Sequence, residues 1–203
     1  YPLISPIYER VERLAMQKFA RSEQSRPSDN QKVEQAFSML GDSYDFIESV
    51  LSMNSIDDNG LLLNIFVSVY FQKGLSSIQC YGNAFNAVWM AHKQSLYVPD
   101  DALDLVEITM HEMAHGIVSN GSNLEYLHQP GALNEAIADS IGVAFRVWRE
   151  HTNKSVHALD VPRKLWRLRI PGTPGRDMAN PRGSGYPDHM ENYLYWSKDK
   201  DNG

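Results

Sequence analysis

Residues 111–115 read HEMAH. On a helix, His111 and His115 would project from one face a turn apart, close enough for both imidazoles to reach one ion, while Glu112 would point about 100° away. Two neutral nitrogen ligands with a carboxylate beside an open position is what a metal-assisted hydrolase needs, because the carboxylate can take a proton from water. Downstream, NEAIAD places Glu135 and Asp139 at i and i+4. One of these carboxylates could complete the ligand set and the other could receive an imidazole N–H from behind. Carboxylates so spaced are usually a solvated helix face, but GALNEAIADSIG around them is apolar and would not bury unpaired charge cheaply. Two separate segments thus offer complementary parts of one zinc site.

The elements that must position these residues follow from periodicity. Pro99 and the Asp100/Asp101 pair are expected to start a helix running through the motif to a stop at Asn120 and Gly121, with Leu103, Val106, Met110, Met113 and Ile117 as its apolar stripe. A further helix is expected from near Ala132 to about Glu150, burying Leu133, Ile137, Ile141, Ala144 and Trp148. Before them, Ser5 to Ala20 has helical spacing, and a second helix capped by Ser28 or Asp29 carries Val33, Phe37, Leu40, Ile47 and Val50. LLLNIFVSVYF, residues 61–71, reads as a strand. From Arg169 to Asp188, Pro and Gly are expected to prevent regular structure, as in many binding loops.

Composition bounds the partners. The chain has 203 residues, 42% of them hydrophobic, enough for one large domain or one and a half small ones. A net charge of −6 with 19 scattered basic residues gives no footprint for nucleic acid or an anionic membrane. No apolar run approaches the roughly 18 to 20 residues of a membrane span, and Tyr1 to Ala20 is too charged for a signal peptide. The single Cys80 excludes an internal disulfide. His92, His128, His151, His157 and His189 have no partner at ligand spacing, and Trp148, Trp166 and Trp196 read as core and rim.

Residues 111–139, HEMAHGIVSNGSNLEYLHQPGALNEAIAD, resemble the thermolysin-like zinc metalloendopeptidases, in which HExxH and NExxxD stand at this separation. Weaker similarity covers GDSYDFIESVLSMNSIDDNG, NAF at 83–85, GRDM at 175–178 and the terminal DNG, spanning about residues 30 to 203. The resemblance implies His111, His115 and Glu135 as zinc ligands, Glu112 as general base and Asp139 as the carboxylate behind His111. It implies Tyr126 as a donor to the oxyanion, and Asn83 and Arg176 as groups holding the substrate backbone. The expected fold is α+β and zincin-like: an N-terminal domain over 1–121 with a small mixed sheet above the central HExxH helix, then over 122–203 the start of a helical second domain. The strand near 62–71 would be the edge that pairs with extended substrate. A peptide or protein substrate, an inhibitory propeptide or the remaining C-terminal domain are the implied partners, and secretion is expected ahead of a cytoplasmic location.

Three departures qualify the resemblance. The family continues past DNG to a catalytic histidine, which Asp201 would orient; Gly203 is the last residue here, and loss of one oxyanion donor costs on the order of 10²- to 10³-fold in rate. The family's structural calcium site near the zinc corresponds to Glu107, Arg146 and the RLR at 167–169. Three guanidiniums would repel a dication, so calcium is expected to be absent there and the arginines to supply its charge. Finally, Asn86 and Gly175 replace large apolar residues that line the cleft in relatives, which suggests a roomier or shallower pocket. The leading expectation is a zinc endopeptidase. The alternatives are a non-catalytic zinc-binding fragment or pseudoprotease, and an aminopeptidase with the same ligands.

Overall fold

The computed structural model describes residues 20–67, 87–151, 161–170 and 174–192. The expected helix over Ser5–Ala20, Asn83, Cys80 and Asp201 fall outside them, save for Ala20. Helix α1 spans Gln31–Leu51 and turns Ala36, Met39, Ser43, Phe46 and Ile47 inward, the three- and four-residue spacing of a single buried stripe. Its N-cap is Asn30, one residue past the expected Asp29; the Asn30 side chain accepts the Lys32 N–H at 3.0 Å. Ser28 instead gives its own N–H to Glu34.

Three short strands form a mixed sheet. Strand β1 (Asn64–Val67) runs parallel to β3 (Ser95–Val98), with Asn64 opposite Ser95 and Val67 opposite Val98. Strand β2 (Val88–Met90) runs antiparallel to β3 on its other side, with Trp89 opposite Leu96. Central β3 is buried along its length, as expected of a strand covered on both faces. Phe66 stacks on Tyr97 at 4.8 Å across the β1–β3 pair. The described part of β1 occupies only the middle of the expected 61–71 strand.

The motif helix, α2, spans Val106–Gly121 rather than starting at Pro99. Asp100–Ala102 form a 3-10 turn, and Leu105 (φ −104°, ψ 73°) breaks the path before the α-helix begins. Helix α2 buries ten of its sixteen residues, His111 and Glu112 among them, as its apolar surroundings predict. Helix α3 spans His128–His151, starting four residues before the expected Ala132 because Pro130 is tolerated in a first turn, where no N–H partner is needed.

Helices α2 and α3 cross at Gly142. A Cβ there would stand 2.4 Å from the Glu107 carbonyl oxygen and 3.3 Å from the His111 backbone nitrogen, so only glycine fits. Beside them, Phe145 packs edge-on against Phe46 at 5.4 Å, and Trp148 closes the same cluster. Between Arg169 and Asp188 the described backbone is irregular as expected, apart from β5 (Arg176–Asp177), which pairs with β4 (Arg167–Leu168), and a 3-10 turn at Pro181–Ser184. Gly175, read from sequence as a missing apolar wall, has a backbone reason: its φ is +72° and a Cβ would meet the Leu168 carbonyl at 2.3 Å.

Candidate metal centre

His111 and His115 lie one turn apart on α2, their rings edge-on at 4.7 Å between centroids. Their Nε2 atoms stand 3.2 Å from each other. Glu135, on α3, brings Oε2 to 3.4 Å from His111 Nε2 and Oε1 to 3.7 Å from His115 Nε2. Four donors around an ion at ~2.1 Å would sit roughly 3.4 Å apart, close to the separations between these two nitrogens and the carboxylate oxygen nearer each.

The far side of each ring explains its orientation. His115 Nδ1 is 2.8 Å from Asn134 Oδ1, so this nitrogen carries the proton and Nε2 is left as the acceptor. His111 Nδ1 lies 2.9 Å from Asp139 Oδ1, close but not aligned as a full hydrogen bond. Asp139 groups with His111 and Glu135 within 4.8 Å, yet it faces Nδ1, the nitrogen turned away from the Nε2 pair. It therefore sits behind the ring rather than around the same ion. Asp139 is in turn gripped by Arg176 through Nε to Oδ2 and Nη2 to Oδ1, a two-pronged contact from β5.

The field in this pocket favours positive charge. Burial pulls His111 toward neutrality, but Asp139 behind it and the charges of Glu112 and Glu135 outweigh burial and raise its pKa. A place that raises the basicity of an imidazole also suits a dication, so the donor set fits zinc. Burial raises the Asp139 carboxyl, while His111 and Arg176 lower it further, leaving it below the ordinary range. Glu112 behaves oppositely: burial pushes its pKa up, and the two histidines and a backbone N–H only partly offset that.

Tyr126 stands at the open side, half exposed, its ring edge-on to His115 at 5.8 Å. The described structure thus brings together His111, Glu112, His115, Tyr126, Glu135, Asp139 and Arg176. Two partners were missed from sequence. Asn134 precedes Glu135 in the same NE dipeptide, and its burial in an apolar segment was the available signal. Trp89, whose N–H donates to Glu112 Oε2 at 3.1 Å, had none, because a main-chain donor leaves no mark in composition. The strand bordering this centre is accordingly β2, whereas β1 lies on the opposite edge of the described sheet. Strand β1, within the expected 62–71 segment, is an edge of the described sheet, as expected.

Glu107 tests the expected arginine cluster. Its carboxylate, fully buried, is met by Arg146 at 3.4 Å and by Arg169, whose Nη2 lies 2.7 Å from Oε2. Arg167, expected to be the third, instead reaches Asp177 at 3.2 Å and lends Glu107's neighbourhood only its carbonyl, which accepts from Arg146.

Residues 122–203 match the family model described as thermolysin metallopeptidase, alpha-helical domain. An extracellular metalloprotease of Pectobacterium carotovorum subsp. carotovorum is 29% identical over 204 residues, covering 90% of this chain and 53% of the relative. A bacillolysin of Bacillus amyloliquefaciens is 30% identical over 161 residues, covering 76% of this chain and 26% of the relative. Among solved structures, the precursor of protealysin, a metalloproteinase from Serratia proteamaculans, superposes with a TM-score of 0.60 at 26% identity, covering 88% of this chain and 56% of that one. The chain spans about half or less of the length of these relatives.

Proposed function

From the premise that this chain belongs to the thermolysin-like metallopeptidase family, we propose that it is the zinc-bearing part of a metalloendopeptidase. The observation that carries this reading is the convergence of His111 Nε2, His115 Nε2 and the Glu135 carboxylate, with the buried Glu112 beside them. Those three side chains would hold the ion, which when bound supplies Lewis-acid polarisation of the scissile carbonyl.

The remaining chemistry belongs to the protein. Glu112 takes a proton from the attacking water as the new C–O bond forms, and returns it to the leaving amine as the C–N bond breaks. Its raised pKa suits a base that must also give the proton back. Tyr126 offers its hydroxyl to the developing oxyanion; its exposure leaves the ring room to swing toward it. Arg176 spends Nε and Nη2 on Asp139, so Nη1 is left for a substrate carbonyl, and Asn83 is the other proposed backbone contact. Asp201 remains the proposed carboxylate for a histidine beyond residue 203. The division into 1–121 and 122–203 is supported by the family model's start at residue 122. Arg146 and Arg169 on Glu107 support the reading that guanidiniums stand in for a structural calcium. Extracellular relatives support secretion, and a precursor among the structural relatives supports an inhibitory propeptide.

The test is hydrolysis of a blocked, internally quenched peptide by the zinc-loaded chain beside its Glu112→Gln variant. Cleavage lost only in the variant supports the mechanism. Undiminished cleavage in the variant removes Glu112 as base, and silence from both with zinc bound favours a non-catalytic fragment.

A further inference from the structure

Strand β2 meets helix α2 at a glycine. A Cβ on Gly116 would lie 2.9 Å from Cε2 and Cζ2 of Trp89 and 3.0 Å from Cδ1 of Ile56, inside the distance at which carbon atoms pack. The Trp89 indole therefore occupies a notch in the helix surface that only a missing side chain leaves open, one residue past His115. Trp89 is buried. The same residue sends its backbone N–H out to Glu112 Oε2 at 3.1 Å. Glu112 and Gly116 are four apart and stacked on one helix face, so ring and amide of a single residue engage two successive positions of that face. In an antiparallel ladder alternate residues turn their N–H away from the partner strand. Trp89, opposite Leu96, is such a residue, and its N–H is spent on the carboxylate.

Resting on the peptidase reading above, we propose that Trp89 is a positioning residue for the general base: its indole, seated on Gly116, fixes β2, and its N–H pins Glu112 Oε2. One pinned oxygen stops rotation of the carboxylate about its last bond, so that Oε1 is kept for exchanging the proton with water. The orphaned Trp89 Nε1, buried without a partner, fits a ring retained for its shape rather than its polar atom.

The chain holds four tryptophans, so 15N-tryptophan labelling of the zinc-loaded protein gives a readable set of backbone amide signals. Trp89→Phe assigns the Trp89 signal by its disappearance. Glu112→Ala is then expected to shift that signal more than the other three, and an unmoved Trp89 amide overturns the proposal. In parallel, Trp89→Ala and Gly116→Ala are expected to lower kcat by ~10- to 100-fold, the cost of a base misplaced by about an ångström, with KM and zinc affinity unchanged. Trp89→Phe, which keeps a ring and the N–H, should recover most of that loss. A fall in zinc affinity that tracks kcat, or full kcat in Trp89→Ala, overturns the assignment. Should the parent chain bind zinc and cleave nothing, the peptidase reading fails, while the amide comparison still decides whether Trp89 holds Glu112.

Discussion

Glu107 and Glu112 stand on one helix, both buried, in opposite surroundings. Glu107 is met by the guanidiniums of Arg146 and Arg169 and by the Arg169 backbone N–H, so its charge is compensated where it sits. Glu112 receives one backbone N–H and the company of two imidazoles, and burial keeps its pKa raised. A carboxylate matched by fixed cations ties the helix to the segments that carry them. One that is buried and undermatched is poised to exchange a proton. The helix thus carries a clamp at its start and, one and a half turns later, the carboxylate proposed above as the base. Neighbours make the distinction, since the residue type is the same.

The comparison is broken most directly by exchanging the proposed base. Glu112→Gln is expected to lower kcat by ~10²- to 10⁴-fold on the quenched peptide while leaving zinc affinity and melting temperature in place. Glu107→Gln should do the reverse. It takes one carboxylate from the buried Arg146, which keeps Glu150 at 3.0 Å, so unfolding in denaturant should show a loss of about 3 kcal/mol, at the low end for a broken buried pair because that partner remains and Arg169 is half exposed. A Glu107 variant as stable as the parent would end the idea of a clamp. Gly142→Ala pushes α3 off the Glu107 carbonyl and should cost ~1–3 kcal/mol in the same melts, with weaker zinc binding alongside.

Smaller effects sharpen the contrast. Glu112 accepts a proton only when ionised, and its raised pKa moves that requirement upward. Activity should therefore fall, as pH drops, at higher pH than an exposed glutamate would give, visible in the acid limb of kcat/KM. In stability the sign is opposite: the contribution of a carboxyl with raised folded pKa is present at low pH and lost as pH rises through that value. Least of all, Arg149→Ala removes a surface contact with Asp42 and should change stability by ~0.2–1 kcal/mol, less at high salt.

Much of the centre was legible because its donors are side chains at helical spacing. His111, His115, Glu135 and Asp139 meet as that spacing implied. Periodicity also placed α1, α2 and α3 to within a few residues, except where Leu105 departs from helical backbone. Tertiary choices were less readable. Arg167 and Arg169 are two apart, a spacing that puts both on one face of a regular strand, yet β4 ends at Leu168 and the two reach different carboxylates, Asp177 and Glu107. Gly175 reads identically whether a pocket lacks a wall or a backbone needs positive φ, and only the Leu168 carbonyl decides. Trp89 meets Glu112 through its main chain, which every residue shares.

Gly142 lets the main chains of α2 and α3 touch. The separation of Glu135 from the two histidines is therefore gauged by backbone against backbone, with no side chain acting as spacer. Substitutions elsewhere in the interior can then alter how densely it is filled without drawing the three donor atoms apart, and a lineage could exchange much of its core while its affinity for the same ion is preserved.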